Sequence, residues 1–365
     1  MSAALSAVPS PIARVMICDD SAVIRGAIAR ILSADPGIVI AARASNGQAA
    51  LDALKLHAID VVVLDIEMPV MDGLTALPLL LAADPGLRVI MASTLTTRGA
   101  DVAMRALRLG AADYVPKPSA ADVAGGDLRF GPELIAKVKG LARQRRLTTP
   151  AAHTQAVVRA ATTIPAARPA PRQAPLLLAI GSSTGGPNAL FTLVQTLSAK
   201  LAVPVVITQH MPPTFTPILA EHINKLGVLP CQEASEGARL LPGHILLAPG
   251  SRHMLVRRDA KGLCVHLSDA PPENFCRPAV DPMLRSAVEA TEGRVLAVIL
   301  TGMGQDGMEG TKLVVERGGA AIAQDEATSV VWGMPGAVAR AGLAHAVLPL
   351  DKIGAKINAL LGLRA

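Results

Sequence analysis

Short, wholly apolar runs recur along this sequence between stretches of helical spacing, and only parallel strands buried on both faces read that way. In the first third, Val15 to Cys18, Val61 to Leu64 and Val89 to Ala92 are such runs. Between the first two, Ser21 to Leu32 opens on a helix N-cap residue and carries Val23, Ile24, Ala27, Ile28 and Ile31 at helical spacing. Parallel strands with crossover helices follow from that order. The rhythm resumes at Pro175, where Leu176 to Ile180, Val203 to Thr208 and Val295 to Thr301 are strand candidates. Aromatic residues make up only 2% of the chain, so Ala, Val, Leu and Ile must fill the cores, which suits α/β layers better than an aromatic-rich sandwich.

Between the two rhythmic regions, residues 141–174 lack periodicity, hold prolines at 150, 165, 169 and 171, and carry six arginines with no Asp or Glu. This reads as a flexible linker. It also accounts for the whole formal charge of +6, so the flanking regions are close to neutral and no phosphate-neutralising groove is implied. The expected division is a disordered start at 1–13, an α/β domain at 14–140, the linker at 141–174 and a second α/β domain at 175–365. Cys18, Cys231, Cys264 and Cys276 show no C-x-x-C spacing and read as reduced, buried thiols. No apolar run reaches the roughly 18 residues of a membrane helix, and the first residues lack a basic signal-peptide region. A cytoplasmic protein without membrane insertion is expected.

Two groups of polar residues fall at strand ends. Asp19 and Asp20 follow the first strand and Asp65 follows the third, so a parallel sheet can bring three carboxylates to one edge. Carboxylates packed together repel unless a hard cation joins them, and Mg²⁺ fits such a site. Ser93 and Lys117 end later strands at the same edge and offer a hydroxyl and an ammonium to phosphate oxygens. Taken singly, an Asp pair is as readily a helix N-cap and a Lys-Pro a turn.

Taken together, Asp19-Asp20, Asp65-Ile66-Glu67-Met68-Pro69 with Asp72-Gly73, Ser93-Thr94 and Lys117-Pro118 resemble two-component receiver domains over residues 14 to about 138. The resemblance implies a flavodoxin-like, five-stranded parallel sheet. It implies Asp65 as phosphoryl acceptor from a histidine kinase, with Mg²⁺ arranged by Asp19, Asp20, Asp65 and the backbone carbonyl of Glu67. Lys117 would grip the acyl phosphate, and Ser93 with Tyr114 match the family's switch pair.

In the second region, Gly181-Ser182-Ser183-Thr184-Gly185-Gly186-Pro187 follows a strand and precedes a helical stretch, with G-x-S-x-G spacing centred on Ser183. A nucleophile on a tight strand-to-helix turn needs small neighbours, and the helix N-terminus offers amides to an oxyanion. The same glycines also suit a phosphate cradle. Against that, no Gly-Lys-Thr follows, and the next strand ends in His210, at the same edge as Ser183 and suited to a general base. His253 is the runner-up. Asp306, in the glycine-rich loop after the strand Val295 to Thr301, is the carboxylate expected to orient the imidazole.

The order Ser…His…Asp differs from that of α/β-hydrolases. Ser183-Thr184-Gly185-Gly186, Gln209-His210-Met211-Pro212, Arg277-Pro278-Ala279-Val280-Asp281, Thr301-Gly302-Met303-Gly304 with Asp306-Gly307, and Gly333-Met334-Pro335 resemble the catalytic domain of the chemotaxis protein-glutamate methylesterases, the CheB family, over about residues 176–350. A receiver placed first matches the same architecture. The resemblance implies a doubly wound α/β domain that hydrolyses glutamate γ-methyl esters on chemoreceptors, often deamidates receptor glutamines, and needs no cofactor for ester hydrolysis. It implies Ser183 as nucleophile, His210 as proton shuttle, Asp306 as its orienter, and Thr184 with the Met303 amide as oxyanion donors. Partners would be a CheA-family histidine kinase and methyl-accepting chemotaxis receptors, with no nucleic acid. Ser182 replaces the family's commoner Ala, which leaves a second serine beside the nucleophile, and Asp325 stands where Asn is frequent.

Arg277 could pair with acidic side chains of a receptor helix, although an arginine before a proline is more often structural. The tether and the family's logic suggest a receiver that covers the Ser183 cleft until Asp65 is phosphorylated. Two rival readings stand: a DNA-binding response regulator, which needs a basic recognition helix in residues 175–365, and an esterase of another carboxylic ester, since a triad fixes the chemistry and not the acyl group.

Overall fold

The computed structural model describes residues 13–94, 96–117, 130–148 and 170–363, which fold as two units. In the first, β1 (Ala13–Cys18), β2 (Ile38–Ala44), β3 (Val61–Asp65), β4 (Arg88–Ser93) and β5 (Asp113–Pro116) form a parallel sheet in the order β2-β1-β3-β4-β5. Along the chain these strands alternate with the helices α1 (Ala22–Ser33), α2 (Gly47–Leu56), α3 (Gly73–Ala83) and α4 (Thr97–Arg108), of which residues 94–108 group with the second unit. The strand order reverses between β1 and β3, so a crevice opens at the carboxyl ends of those two strands, where Asp19, Asp20 and Asp65 lie. This is the expected flavodoxin-like sheet.

Ser21 caps α1 as its position suggests, its hydroxyl accepting the Ile24 amide. The buried stripe of α1 runs through Ala27, Ile28, Ala29 and Leu32, whereas Val23 is 67% exposed. Val23 keeps the helical spacing but lies off the buried stripe. A larger correction concerns the linker. Helix α5 (Phe130–Thr148) continues past Leu141, with Leu134, Val138, Leu141 and Ala142 all buried. Arg145, read as linker charge, pairs with Asp84 at 2.8 Å and Asp60 at 3.4 Å. Those partners are remote in sequence, which is why the basic tract looked solvated. The expected linker also ends early, because the Arg172 amide donates to Gly318 and Ala174 accepts from Arg294. Its middle, 149–169, and the start, 1–12, lie outside the described residues, and Ala13 already belongs to β1.

The second unit holds β6 (Leu177–Ser182), β7 (Val205–Gln209), β8 (Cys231–Glu233), β9 (Ile245–Leu247), β12 (Val295–Ile299), β13 (Ala320–Gln324) and β14 (Ala346–Leu348). They form a seven-stranded parallel sheet, β14-β13-β12-β6-β7-β9-β8. The chain winds outward from β6 in both directions, as a doubly wound sheet does. Its helices are α6 (Gly186–Thr196), α7 (Thr216–Asn224), α8 (Val280–Thr291), α9 (Met308–Glu316), α10 (Met334–Arg340) and α11 (Leu350–Leu360). The fully apolar strands are buried throughout, consistent with helices on both faces. An antiparallel hairpin, β10 (His253–Asp259) and β11 (Gly262–Ser268), packs on α8; its apolar runs, Met254 to Val256 and Leu263 to Val265, are shorter than those read as strands. A parallel sheet of this kind is not a DNA-binding helical module, so that rival reading is set aside. Among the described residues no helix is long and apolar enough to cross a membrane.

Candidate active site and phosphoacceptor site

The two serines at the end of β6 separate by burial. Ser182 belongs to the strand, is fully buried, and donates its hydroxyl to Gln209 Oε1 at 2.6 Å. Ser183 leaves the strand and is partly exposed. Its amide donates to the Thr301 carbonyl at 3.0 Å, and its carbonyl accepts from the Gly186 amide at 2.7 Å and from Gln209 Nε2 at 2.9 Å. The turn into α6 passes through Gly185 at φ 74°, where a Cβ would lie 2.4 Å from Val330. Across the cleft, a Cβ on Gly302 would come within 2.9 Å of the Ser183 Cβ, so the loop after β12 approaches the nucleophile as only glycine allows.

His210 follows β7, and its amide donates to the Ser182 carbonyl at 3.1 Å. Its ring Nε2 bonds Asp306 Oδ2 at 2.7 Å, which leaves Nδ1 as the nitrogen for proton transfer. Asp306 is 1% exposed and saturated with donors. Besides His210, the amides of Val280 (2.6 Å), Asp281 (3.1 Å) and Gly307 (2.9 Å) and the Asn274 side chain (3.1 Å) all donate to it. Val280 and Asp281 open α8, whose cap position, Ala279, has no capping side chain. Asp306 therefore serves as the cap, collecting orphan amides and the positive end of the helix dipole.

Burial alone would push Asp306 up, but the His210 contact and the amides outweigh it and hold the carboxyl below the usual carboxylate range. Burial would likewise push His210 down, yet the bond to Asp306 and the neighbouring Cys276 raise the imidazole above its ordinary 6.5. Neighbouring Asp281, 3% exposed, is raised by burial and by the Asp306 charge, while the Gly310 amide at 2.7 Å and Asn274 at 2.9 Å counter the rise.

In the first unit, Asp19 and Asp65 are each 1% exposed and Asp20 is exposed, and the three offer ligand oxygens within 4.8 Å of one another. Lys117 Nζ reaches Asp65 Oδ2 at 2.7 Å and Asp19 Oδ2 at 3.7 Å. Burial raises Asp65 to about 6 against the Lys117 bond, and raises Asp19 as well. Asp19 Oδ2 and the buried Ser93 hydroxyl have no hydrogen-bond partner among the described residues. A buried carboxylate oxygen that receives no hydrogen bond, beside two further acids, fits a hard divalent cation such as Mg²⁺. Tyr114 is buried, with Lys137 Nζ 5.1 Å from its ring centre.

Known proteins are similar to both parts of the chain. The family description "CheB methylesterase" matches residues 178–357, and "Response regulator receiver domain" matches 15–124. A protein-glutamate methylesterase/protein-glutamine glutaminase of Paramagnetospirillum magneticum is 52% identical over 98% of this chain and 99% of its own length. One from Azospirillum brasilense is also 52% identical, over 94% of this chain and 92% of its own. The chain belongs to this methylesterase/glutaminase family. A crystal structure of the Thermotoga maritima CheB methylesterase catalytic domain is similar to the second unit, at 39% identity and a TM-score of 0.50, covering 52% of this chain and 99% of that one.

Within that methylesterase domain, the structure brings Ser183, His210 and Asp306 to one sheet edge, with Thr184 and Met303 on the loops flanking the serine. His253 is elsewhere engaged: its Nε2 faces the Pro271 carbonyl at 3.0 Å and its Nδ1 accepts the Ala279 amide at 3.2 Å. Arg277 spends its guanidinium on the carbonyls of Asp269 and Ala270, the structural alternative for that residue. Cys276 is partly exposed and acts on the His210 imidazole, so it is not the buried filler expected of it. Asn274 and Asp281 were missed as site residues. The only signal was their place around the Arg277 to Asp281 motif.

Proposed function

We propose that the chain is a phosphorylation-controlled esterase in which Ser183, His210 and Asp306 cleave glutamate γ-methyl esters of chemoreceptors. Ser183 Oγ attacks the side-chain carbonyl while His210 Nδ1 takes its proton. Asp306 holds the ring through Nε2 and stabilises the imidazolium. The tetrahedral oxyanion faces Thr184 and the Met303 amide. Collapse expels methanol, which takes the proton from His210, and water activated by the same imidazole then releases glutamate and restores Ser183. A glutamine substrate follows the same course with ammonia leaving.

In the receiver, Asp65 accepts a phosphoryl group from a CheA-family kinase. Asp19, Asp20, Asp65 and the Glu67 carbonyl would hold Mg²⁺, which when bound supplies neutralising charge. Lys117 binds the phosphoryl oxygens, and the Ser93 hydroxyl turns towards them as Tyr114 follows. The unphosphorylated receiver restrains the esterase. The family's placement in the cytoplasm beside receptor signalling helices supports the same location here.

The reading rests above all on the His210–Asp306 bond at the strand ends that carry a part-exposed Ser183 and a buried Ser182. Methanol release from methylated chemoreceptor membranes, with and without a small-molecule phosphodonor plus Mg²⁺, tests it. Release that the phosphodonor stimulates and Ser183→Ala abolishes is the expected result. Wild type that cleaves generic esters through Ser183 but releases no methanol would discard the receptor substrate.

A further inference from the structure

One side chain ties the proposed catalytic acid to a second buried acid. Asn274 Nδ2 donates to Asp306 Oδ1 at 3.1 Å and to Asp281 Oδ2 at 2.9 Å, so a single amide bridges two carboxylates. Asp281 is fixed from its other side by the Gly310 amide at 2.7 Å. Asn274 itself stands at φ 50°, a left-handed conformation that asparagine tolerates better than most residues. Its loop is pinned by a backbone pairing of Glu273 with Cys276 and by the Glu273–Arg285 ion pair. The amide is thereby held over the carboxylates by the fold and not by chance rotation.

We propose that Asn274 is a positioning residue, which through its hydrogen bonds to Asp306 and Asp281 fixes the carboxylate that orients His210. Two buried carboxylates this close repel, and a donor between them offsets that repulsion at Asp306 Oδ1, adding to the hold of the Val280, Asp281 and Gly307 amides. Asn274 supplies that donor without adding charge. The inference rests on the reading of Ser183, His210 and Asp306 as the triad. The charged and titratable groups facing this cluster are His210 after β7, Asp306 before α9, Asp281 and Arg285 on α8, and Glu273 and Cys276 on the loop.

The experiment measures kcat and KM for a chromogenic acetate ester, across pH, in the full-length protein. Asn274→Gly keeps the left-handed backbone accessible and removes the amide, so a fall in kcat of about tenfold with a smaller change in KM is expected. In the Asp306→Asn background the same change adds little, because its effect runs through Asp306. Asn274→Asp exchanges a donor for a group that donates only while protonated. Its kcat falls progressively below that of wild type as pH rises through that group's titration, a limb that Asn274→Gly lacks. Asn274→Gly with wild-type kcat, or equal losses with and without Asp306, would assign Asn274 to the turn alone and overturn the proposal. Asp306→Asn with wild-type kcat would overturn the triad reading, and the proposal with it.

Discussion

The two acid sites of this chain are built in opposite ways. In the methylesterase domain every oxygen of Asp306 is met by donors, five in all, drawn from two loops, a helix N-terminus and His210. In the receiver, Asp19 Oδ2 and the Ser93 hydroxyl are buried with no hydrogen-bond partner among the described residues. A saturated carboxylate is preorganised: its electrostatics are in place before substrate arrives and cost no rearrangement during reaction. A cluster that Lys117 neutralises only in part keeps an electrostatic cost until a cation and a phosphoryl group relieve it, which suits a switch. One chain thus keeps a finished site for chemistry and an unfinished one for signalling.

The hardest test of that contrast is Ser183→Ala. Methanol release is expected to fall by roughly 10³-fold or more, while phosphoryl acceptance at Asp65, followed by mass spectrometry or radiolabel, persists. Loss of both would mean that the two sites are not independent in construction.

Asp306→Asn should lower kcat by about 10²–10⁴-fold. It should also move the acid limb of the kcat–pH profile, since in wild type the raised His210 keeps the imidazole protonated to a pH above 6.5 and rate rises only as that proton leaves. Without the Asp306 charge the limb shifts down. The stability linkage has the matching sign: the ion pair's contribution is full below the unfolded value of 6.5 and is lost as pH rises through the raised folded value. A limb that stays in place would remove Asp306 from the account of His210.

Asp65→Asn should erase stimulation by the phosphodonor, read as the ratio of methanol release with and without it. The smallest effect sharpens the comparison most. Asp19→Asn should stabilise the receiver in Mg²⁺-free buffer, by about 1 kcal/mol, because it removes one of several crowded like charges. Asp306→Asn should destabilise the methylesterase domain, since an amide returns donors to donors. Thermal denaturation of the two variants with opposite signs would bear out the contrast; equal signs would break it.

Much of this was legible before any coordinates. The six apolar runs all became strands, and Ser183, His210 and Asp306 each follow one of them, so strand ends and residue type sufficed to nominate them. Where reading failed, the cause was distance along the chain. Leu141 to Thr148 looked like linker because the partners of Arg145, Asp60 and Asp84, lie 85 and 61 residues earlier. G-x-S-x-G spacing had already chosen Ser183 over Ser182, and the structure adds that Ser182 is buried and bonded to Gln209. Asn274 and Asp281 carried no catalytic look at all.

By itself the sequence determined the two α/β layers, the strand ends and the residues able to do chemistry there, because hydrophobic periodicity and turn composition act over a few residues. Only the tertiary structure decided which oxygens are satisfied, which serine is open, and which amides converge on Asp306. Those depend on groups from separate loops meeting within about 3 Å, the range over which a hydrogen bond acts, and no local pattern encodes that meeting.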